Sequence, residues 1–455
     1  MPKKKTEVKE DPQNDGSNED GEPEAPDVQE DLFDPAEEIA GGDTDTDEAD
    51  DDYEEEEEEI GIFAGLYQNL FGESWEMWVG AVVLSLLSIM LFLIASPWGS
   101  SGGIQAWGNS LYDMLGMEFP ESLPDGVTEL SLHAYGMLSI LMVIGALASA
   151  LLAKEFAIRV PPPGEIVKGF LGGVIMAIGC VLAMGCTIGN FFTGWAALSA
   201  GALIFVIGLI IGVFIAVKYL LWEMENHPTL SGGKSWTYLA AKSKGSSLQP
   251  LAGIIVVIIG IAIAFTYDPD DPLEKILMGF VLIGLLIGIV LQRSRFCVVR
   301  ALREPFISGD AEPAAGLMAG ILVGVLGFTV IKITGVGAEL MSVSGNFWMP
   351  AIIGGVIFGF GMTIAGGCTV GSTWRTGEGQ VKNWFAMIGL VLFMPLVAEY
   401  IKPGFLDAIP AGAKAHEFLP DRLGYTGAMV VMILILVIWY GFVKWNERTG
   451  RFSAF

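Results

Sequence analysis

Ala-Gly-Gly-Cys-Thr-Val-Gly (Ala365 to Gly371) ends one apolar stretch, and Ala-Met-Gly-Cys-Thr-Ile-Gly (Ala183 to Gly189) ends another, 182 residues upstream. The likeness extends backwards from both. Gly172, Gly173, Val174, Ile175 and Gly179 of the first copy recur as Gly354, Gly355, Val356, Ile357 and Gly361 of the second. A chain that is twice apolar and twice closes on Gly-Cys-Thr-x-Gly reads as a duplicated membrane unit. Each copy brings one thiol to backbone that glycine leaves free to approach closely or to turn. Paired units of this kind, meeting at a midplane site, are a recurrent construction of transporters.

Working outward, 52% of the chain is hydrophobic and mean hydropathy is +0.54. The apolar residues form blocks at 79–97, 132–153, 170–184, 196–221, 251–265, 276–291, 314–331, 351–365, 386–397 and 428–443. Several reach the ~20 residues that a spanning helix needs. The shorter ones are the richest in glycine and include both motif segments. The expectation is an all-α polytopic membrane protein with about nine or ten spans, some broken or re-entrant, in two inverted pseudo-repeats. The motif segments are the third and eighth blocks, and an odd separation makes them cross in opposite directions. The chain divides into an acidic tail at 1–59, an interfacial amphipathic helix at 60–78, a first membrane repeat at 79–250, a second at 251–445 and a tail at 446–455.

The opening is the opposite of a signal peptide. Residues 1–59 hold 27 Asp or Glu against four Lys, so 23 of the 27 net negative charges lie there. Such a segment cannot bury enough apolar area to offset its ordering entropy and is expected to be disordered. It serves as a solvated tail or as a dock for a basic soluble partner. No nucleic-acid partner is expected. Ile60 to Trp78 carries Phe63, Leu66, Tyr67, Leu70, Phe71 and Trp75, the pattern of a helix lying in the interface. Lys and Arg set the orientation. Lys154, Arg159 and Lys168, the group Arg293, Arg295, Arg300 and Arg303, and Lys444, Arg448 and Arg451 place both termini in the cytoplasm. Residues 99–130, which contain no Lys or Arg, fall outside. Lys402, Lys414 and Arg422 fall outside too, against the trend.

Breaking a helix in a bilayer frees amide donors, and a helix start presents them with a positive dipole end, an arrangement suited to an anion. Gly185 and Gly367 loosen the backbone, Thr187 and Thr369 add hydroxyls, and Cys186 and Cys368 add polarisable S–H donors. Taken singly, the motif could serve close helix packing; two copies matched at both Cys and Thr favour a role facing a ligand. A further cluster, Gln292 to Glu304, sets four arginines around Cys297. Arginine is the planar donor suited to oxyanions, and nearby positive charge makes a thiol more reactive. Cys180 lies about 240° from Cys186 on an ideal helix and has Met362 as its counterpart; it reads as a small core residue. There is no Cys-x-x-Cys, the three histidines are well separated, and no Walker-type loop occurs. No metal, cofactor or ATP hydrolysis is therefore expected.

Gly366 to Gly379, Arg293 to Cys297 and the first Gly-Cys-Thr-Ile-Gly together resemble the YeeE/YedE-type family of sulfur-compound transporters, most similarly its two-half YedE-like branch, associated with thiosulfate and selenium. The resemblance spans roughly residues 75–445 and excludes the acidic tail. It implies uptake of thiosulfate or a related oxyanion across a bacterial inner membrane, without enzymatic turnover. It also implies transient contacts from cysteines at a central constriction, here Cys368, its repeat Cys186, and Cys297. The copies differ. Met184-Gly185 stands against Gly366-Gly367, Asn190 to Thr193 lacks the arginine of Trp374-Arg375, and no Arg-Phe-Cys appears in the first half. The substrate-contacting set is Cys186, Cys368, Cys297, Thr187, Thr369, Gly185, Gly367, Arg375, Arg295 and Arg300. Two other readings stand beside transport. One is a membrane sulfur relay passing persulfide sulfur from Cys297 to a soluble sulfur-carrier protein at the cytoplasmic face. The other is a scaffold working through the acidic tail.

Overall fold

The computed structural model describes residues 65, 67–95, 97–117, 133–227, 232–240, 248–335, 348–410 and 417–451. The acidic tail lies outside them. The chain forms two units, Met1–Ile60 and Gly61–Phe455, and all that follows concerns the second. Of the expected interfacial helix, the described residues include a single π-helical turn, Gln68–Gly72.

Among the described residues, nine stretches are helical, apolar and long enough to cross a membrane, and one helix of 17 residues, Leu248–Ala264, falls just below that length. In chain order the first set is α1 (Met77–Ile94), α2 (Ser100–Met114), α3 (Ala134–Leu152) and α4 (Pro163–Leu182). It continues through a π-helical turn (Thr187–Phe192) that runs into α5 (Thr193–Ala196), then α6 (Ala200–Asn226) and α7 (Leu248–Ala264). The second set is α8 (Pro272–Arg293), α9 (Val298–Ile307), α10 (Glu312–Thr334), α11 (Met349–Ala365), α12 (Thr369–Glu378) and α13 (Val381–Leu396). After a π-helical turn (Val397–Ile401) come α14 (Lys402–Ala408) and α15 (Leu419–Thr449). A two-stranded antiparallel ribbon joins β1 (Ile158–Val160) to β2 (Trp236–Tyr238).

The helix pairings come in twos. α3 packs on α8 and α10 on α1; α4 on α13 and α11 on α6; α3 on α7 and α10 on α15. α2 packs on α3 and α9 on α10, while α3 meets α12 and α10 meets α5. Each member of the first set thus has one counterpart in the second, with α1 matched to α8 and α7 to α15. In these pairings α7, which the sequence placed at the start of the second repeat, packs on α3 as α15 packs on α10.

The relation between the repeats is written in their glycines. A Cβ on Gly172 would lie 2.8 Å from the Ala365 Cβ, and one on Gly354 would lie 2.7 Å from the Ala183 Cβ. A Cβ on Gly179 would lie 2.7 Å from the Gly354 carbonyl oxygen, and one on Gly361 would lie 2.9 Å from that of Gly172. Gly172 and Ala183 are the sequence equivalents of Gly354 and Ala365, so each contact recurs with the copies exchanged, the signature of a twofold axis. Moving forward along α4 corresponds to moving backward along α11, so the two helices are antiparallel and the repeat is inverted. Small residues allow this approach in lipid, where close packing rather than water exclusion holds helices together. Antiparallel α4 and α11 require an even number of crossings between them, so an odd difference in their rank along the chain. The nine long stretches alone make them third and seventh; adding α7, which spans ~25 Å at 1.5 Å per residue, makes them third and eighth. Counting α7 as a further crossing reconciles the antiparallel pair with the nine long apolar stretches among the described residues.

Candidate functional site

Four helices start inside this bundle instead of crossing it. The π-helical turn begins after Cys186 and α12 after Cys368, each with the cysteine as N-cap. The capping sulfur accepts from the amide three residues on, at 3.5 Å for Gly189 and 3.4 Å for Gly371. Satisfying one orphan amide in this way leaves the rest of the first turn with its positive dipole end directed into the centre. α2 starts after Gly99 and α9 after Cys297.

The two halves interlock at the centre. The Ser100 hydroxyl sits 3.4 Å from the Cys186 sulfur and donates to the Thr369 hydroxyl at 2.8 Å. Thr369 also interacts with Cys186, while Thr187 interacts with Cys368, so each threonine serves the other copy's thiol. The Thr187 hydroxyl is buried with no hydrogen-bond partner of ordinary geometry. Ser100, Cys186, Thr187, Cys297, Cys368 and Thr369 are all at most 1% exposed, so the centre is closed. Buried polar groups normally find partners; a closed ring of thiols, hydroxyls and helix-start amides offers donors of the kind a polar guest would take.

Cys297 belongs to this centre. A Cβ on Gly371 would lie 3.6 Å from the Cys368 sulfur and 3.9 Å from that of Cys297. The Arg375 guanidinium donates to the Cys297 sulfur at 3.6 Å and lies over the Trp374 ring at 4.6 Å. Among the described residues no carboxylate pairs with Arg375. Glu378, three residues on, is buried and held by Arg159 at 3.0 Å and Arg295 at 3.9 Å. Gly367 makes room for the same cluster, since a Cβ there would lie 3.0 Å from Asn383 and 3.1 Å from Arg375. Gly185 plays the matching part beside Asn190, whose amide donates to the Ala183 carbonyl at 2.8 Å.

Two arginines expected at the site have neighbours besides the thiols. Arg295 is ion-paired with Glu155 at 3.2 Å and with Glu378. Arg300 lines a surface pocket with Arg295, Trp75 and Glu312, and its backbone meets the Cys297 thiol. The cluster meets the thiol through the start of α9, and the guanidinium beside the thiol is that of Arg375, from α12.

The structure also supplies what the sequence lacked, the first-half partner of Arg-Phe-Cys. Gly99 caps α2 as Cys297 caps α9, and Trp98 is buried as Phe296 is. A Cβ on Gly99 would lie 3.0 Å from the Gly189 Cα, as Cys297 lies against Gly371. Pro97-Trp98-Gly99 is therefore the equivalent segment, with glycine in place of the third thiol. Thr193 takes the place of Arg375, and its hydroxyl donates to the Trp98 carbonyl at 3.1 Å. The site is asymmetric: one side has a thiol and a guanidinium, the other neither. Ser100 went unrecognised because Gly-Ser-Ser-Gly-Gly after a span reads as a polar loop.

Fold and site together define a membrane transporter of the inverted-repeat kind, with broken helices meeting at a central site. The chain belongs to the sulphur-transport family, the YeeE/YedE group, whose model matches residues 49–215 and 293–454, one region in each repeat. It is similar to the probable transporter YedE of Salmonella typhimurium, with 28% identity over 397 residues, 84% of this chain and 96% of the relative. YedE of Escherichia coli is 26% identical over 389 residues, 84% of this chain and 95% of the relative. The thiosulfate transporter TsuA of Spirochaeta thermophila is 36% identical over 126 residues, 27% of this chain and 36% of the relative.

Proposed function

We propose that the chain moves a small sulfur oxyanion such as thiosulfate, or its selenium analogue, between the thiols of Cys186 and Cys368 and past Cys297. The observation that carries this reading is the pair of opposed helix starts, each capped by a cysteine and each lending a threonine to the other. An anion entering such a centre exchanges water for amide N–H, O–H and S–H donors. Trading one hydrogen bond for another changes little net free energy, about 0.5–1.5 kcal/mol each, so the guest is held weakly enough to leave. Neutral donors also suit a passing anion better than a fixed cation would, because a tightly paired charge does not let go. Arg375 lies to one side, where it draws the anion on from the thiols. The distribution of Lys and Arg supports assigning that side to the cytoplasm, in a bacterial inner membrane with both termini inside. The movement is secondary transport or facilitation. The test is uptake of [35S]thiosulfate into proteoliposomes holding the purified full chain, with unlabelled sulfate, sulfite and selenosulfate as competitors. Saturable uptake suppressed by selenosulfate supports the reading; uptake no greater than in empty liposomes overturns it.

A further inference from the structure

Beyond Arg375, on the same side of the centre, charged residues from three helices form a chain of ion pairs. Glu223 of α6 pairs with Lys168 of α4 at 2.6 Å, Lys168 with Glu165 at 2.5 Å, and Glu165 with Lys382 of α13 at 2.5 Å. Glu165 therefore holds two ammonium groups. Lys382 ends the chain, and among the described residues Glu165 is its one carboxylate. Both members of that last pair reach solvent, with side chains 22% and 23% exposed.

Glycines make room for Lys382 on its way to the centre. A Cβ on Gly169 of α4 would lie 3.0 Å from the Lys382 Cγ, and one on Gly366 would lie 3.8 Å from its Nζ and 3.9 Å from its Cε. The stem thus passes Gly169 and the ammonium arrives at Gly366, two residues before Cys368. Gly366 has a φ of +78°, yet the equivalent residue of the other repeat, Met184, takes +56°. The turn alone does not demand glycine, and what glycine adds at 366 is bare backbone beside an ammonium. On the next residue, a Cβ on Gly367 would lie 3.1 Å from Nη1 of Arg375. Gly366 is partly exposed, whereas Gly367 and Cys368 are buried. Two cations therefore flank consecutive glycines, Lys382 at the one solvent reaches and Arg375 at the one it does not.

We propose that Lys382 is a second anion station, between Arg375 and the solvent on that side, which Glu165 occupies when no anion is present. Its ligand is the oxygen end of the sulfur oxyanion. A carboxylate is itself an oxygen anion, so the arriving ligand replaces it like for like. Glu165 keeps Lys168 during the exchange, and no buried charge is left unpaired. Lys382 suits the task as a point charge with three donors on a flexible stem, where Arg375 is a rigid fork. When Glu165 returns it displaces the anion, so the station does not trap it. The inference rests on the reading of the centre as a sulfur-oxyanion path and adds the step by which the anion leaves it.

The test is the initial rate of [35S]thiosulfate uptake by the full chain in proteoliposomes. Lys382→Gln should lower the rate about tenfold, the loss of one charge-assisted hydrogen bond, and Lys382→Arg should recover most of it. Glu165→Gln removes the competitor but leaves the cation and should keep at least about half the wild-type rate. A wild-type rate in Lys382→Gln would overturn the station while leaving transport through the thiols intact. A loss in Glu165→Gln as deep as in Lys382→Gln would mark a structural ion pair and overturn it too. Should Lys382→Gln not stay folded, Glu165→Gln decides alone by the same criterion. Should the parent chain take up no thiosulfate, equilibrium binding of [35S]thiosulfate to the detergent-purified chain decides. Binding weakened by Lys382→Gln and kept in Glu165→Gln upholds the station without the transport reading. Any other binding result, including no binding, overturns the station.

Discussion

Gly172→Ala and Gly354→Ala should destabilise the protein by similar amounts, because the two glycines occupy equivalent places about a twofold axis. The added Cβ of Gly172→Ala would fall 2.7 Å from the Ala365 nitrogen, 2.8 Å from its Cβ and 2.9 Å from its Cα. That of Gly354→Ala would fall 2.5 Å from the Ala183 nitrogen, 2.7 Å from its Cβ and 2.7 Å from the Gly179 carbonyl oxygen. Ordinary carbon contacts sit at ~3.5–4.0 Å, so α4 and α11 must part by up to about 1 Å at either end. Overpacking of this kind costs roughly 1–3 kcal/mol, only slightly offset by the ~1 kcal/mol better helix propensity of alanine. Removing the facing Cβ relieves one of the three clashes. Ala365→Gly should therefore partly rescue Gly172→Ala, and Ala183→Gly should partly rescue Gly354→Ala, while the crosswise combinations should not. Thermal unfolding in detergent, followed by tryptophan fluorescence, reads all of these. A neutral Gly354→Ala beside a damaging Gly172→Ala, or equal rescue by either alanine replacement, would refute the inverted twofold.

Other expectations follow from the site. Arg375→Gln should cut thiosulfate uptake roughly tenfold to a hundredfold, the worth of about 1.5–3 kcal/mol in one hydrogen bond to a charged group, and Arg375→Lys should recover part of it, as initial rates in proteoliposomes will show. Gly99→Ala places a Cβ 3.0 Å from the Gly189 Cα and should lower both uptake and thermal stability, the latter by about 1–3 kcal/mol. Glu378→Gln leaves the end of α12 without the carboxylate that holds Arg159 and Arg295. Because both arginines are about two-fifths exposed (40% and 42%), water takes up much of the lost pairing and the cost should stay near 1–2 kcal/mol. Adding Arg159→Gln should cost less than the sum of the two single changes in denaturation measurements.

The spans and the motif pair were legible because lipid demands long apolar helices and because duplicated sequence still aligns at Gly172, Cys186 and Thr187. Their opposite directions were legible from the count of blocks alone. The third element of the first half was hidden for a physical reason. Pro97-Trp98-Gly99 keeps the bulky residue and the helix start of Arg295-Phe296-Cys297 but loses the thiol and the charge, which are the features a motif search reads. Ser100 was hidden because a half-helix start in a bilayer has the composition of a loop. The angle between Cys180 and Cys186 was misjudged on an ideal helix. α4 ends at Leu182 and the chain turns through a left-handed Met184 before reaching Cys186, so helical phase does not carry across. Nor could a cluster of four arginines say which guanidinium faces the thiol; Arg375, from another helix, holds that place.

The central claim is that the anion passes between the thiols of Cys186 and Cys368. Its most direct test is the initial rate of [35S]thiosulfate uptake by purified, reconstituted Cys186→Ala and Cys368→Ala variants at matched protein content, with each variant's folding checked by size-exclusion chromatography. The account predicts that both variants stay folded and that each loses at least about tenfold in rate, as the loss of a shared donor ring requires. A folded Cys368→Ala protein that takes up thiosulfate at the wild-type rate would contradict it.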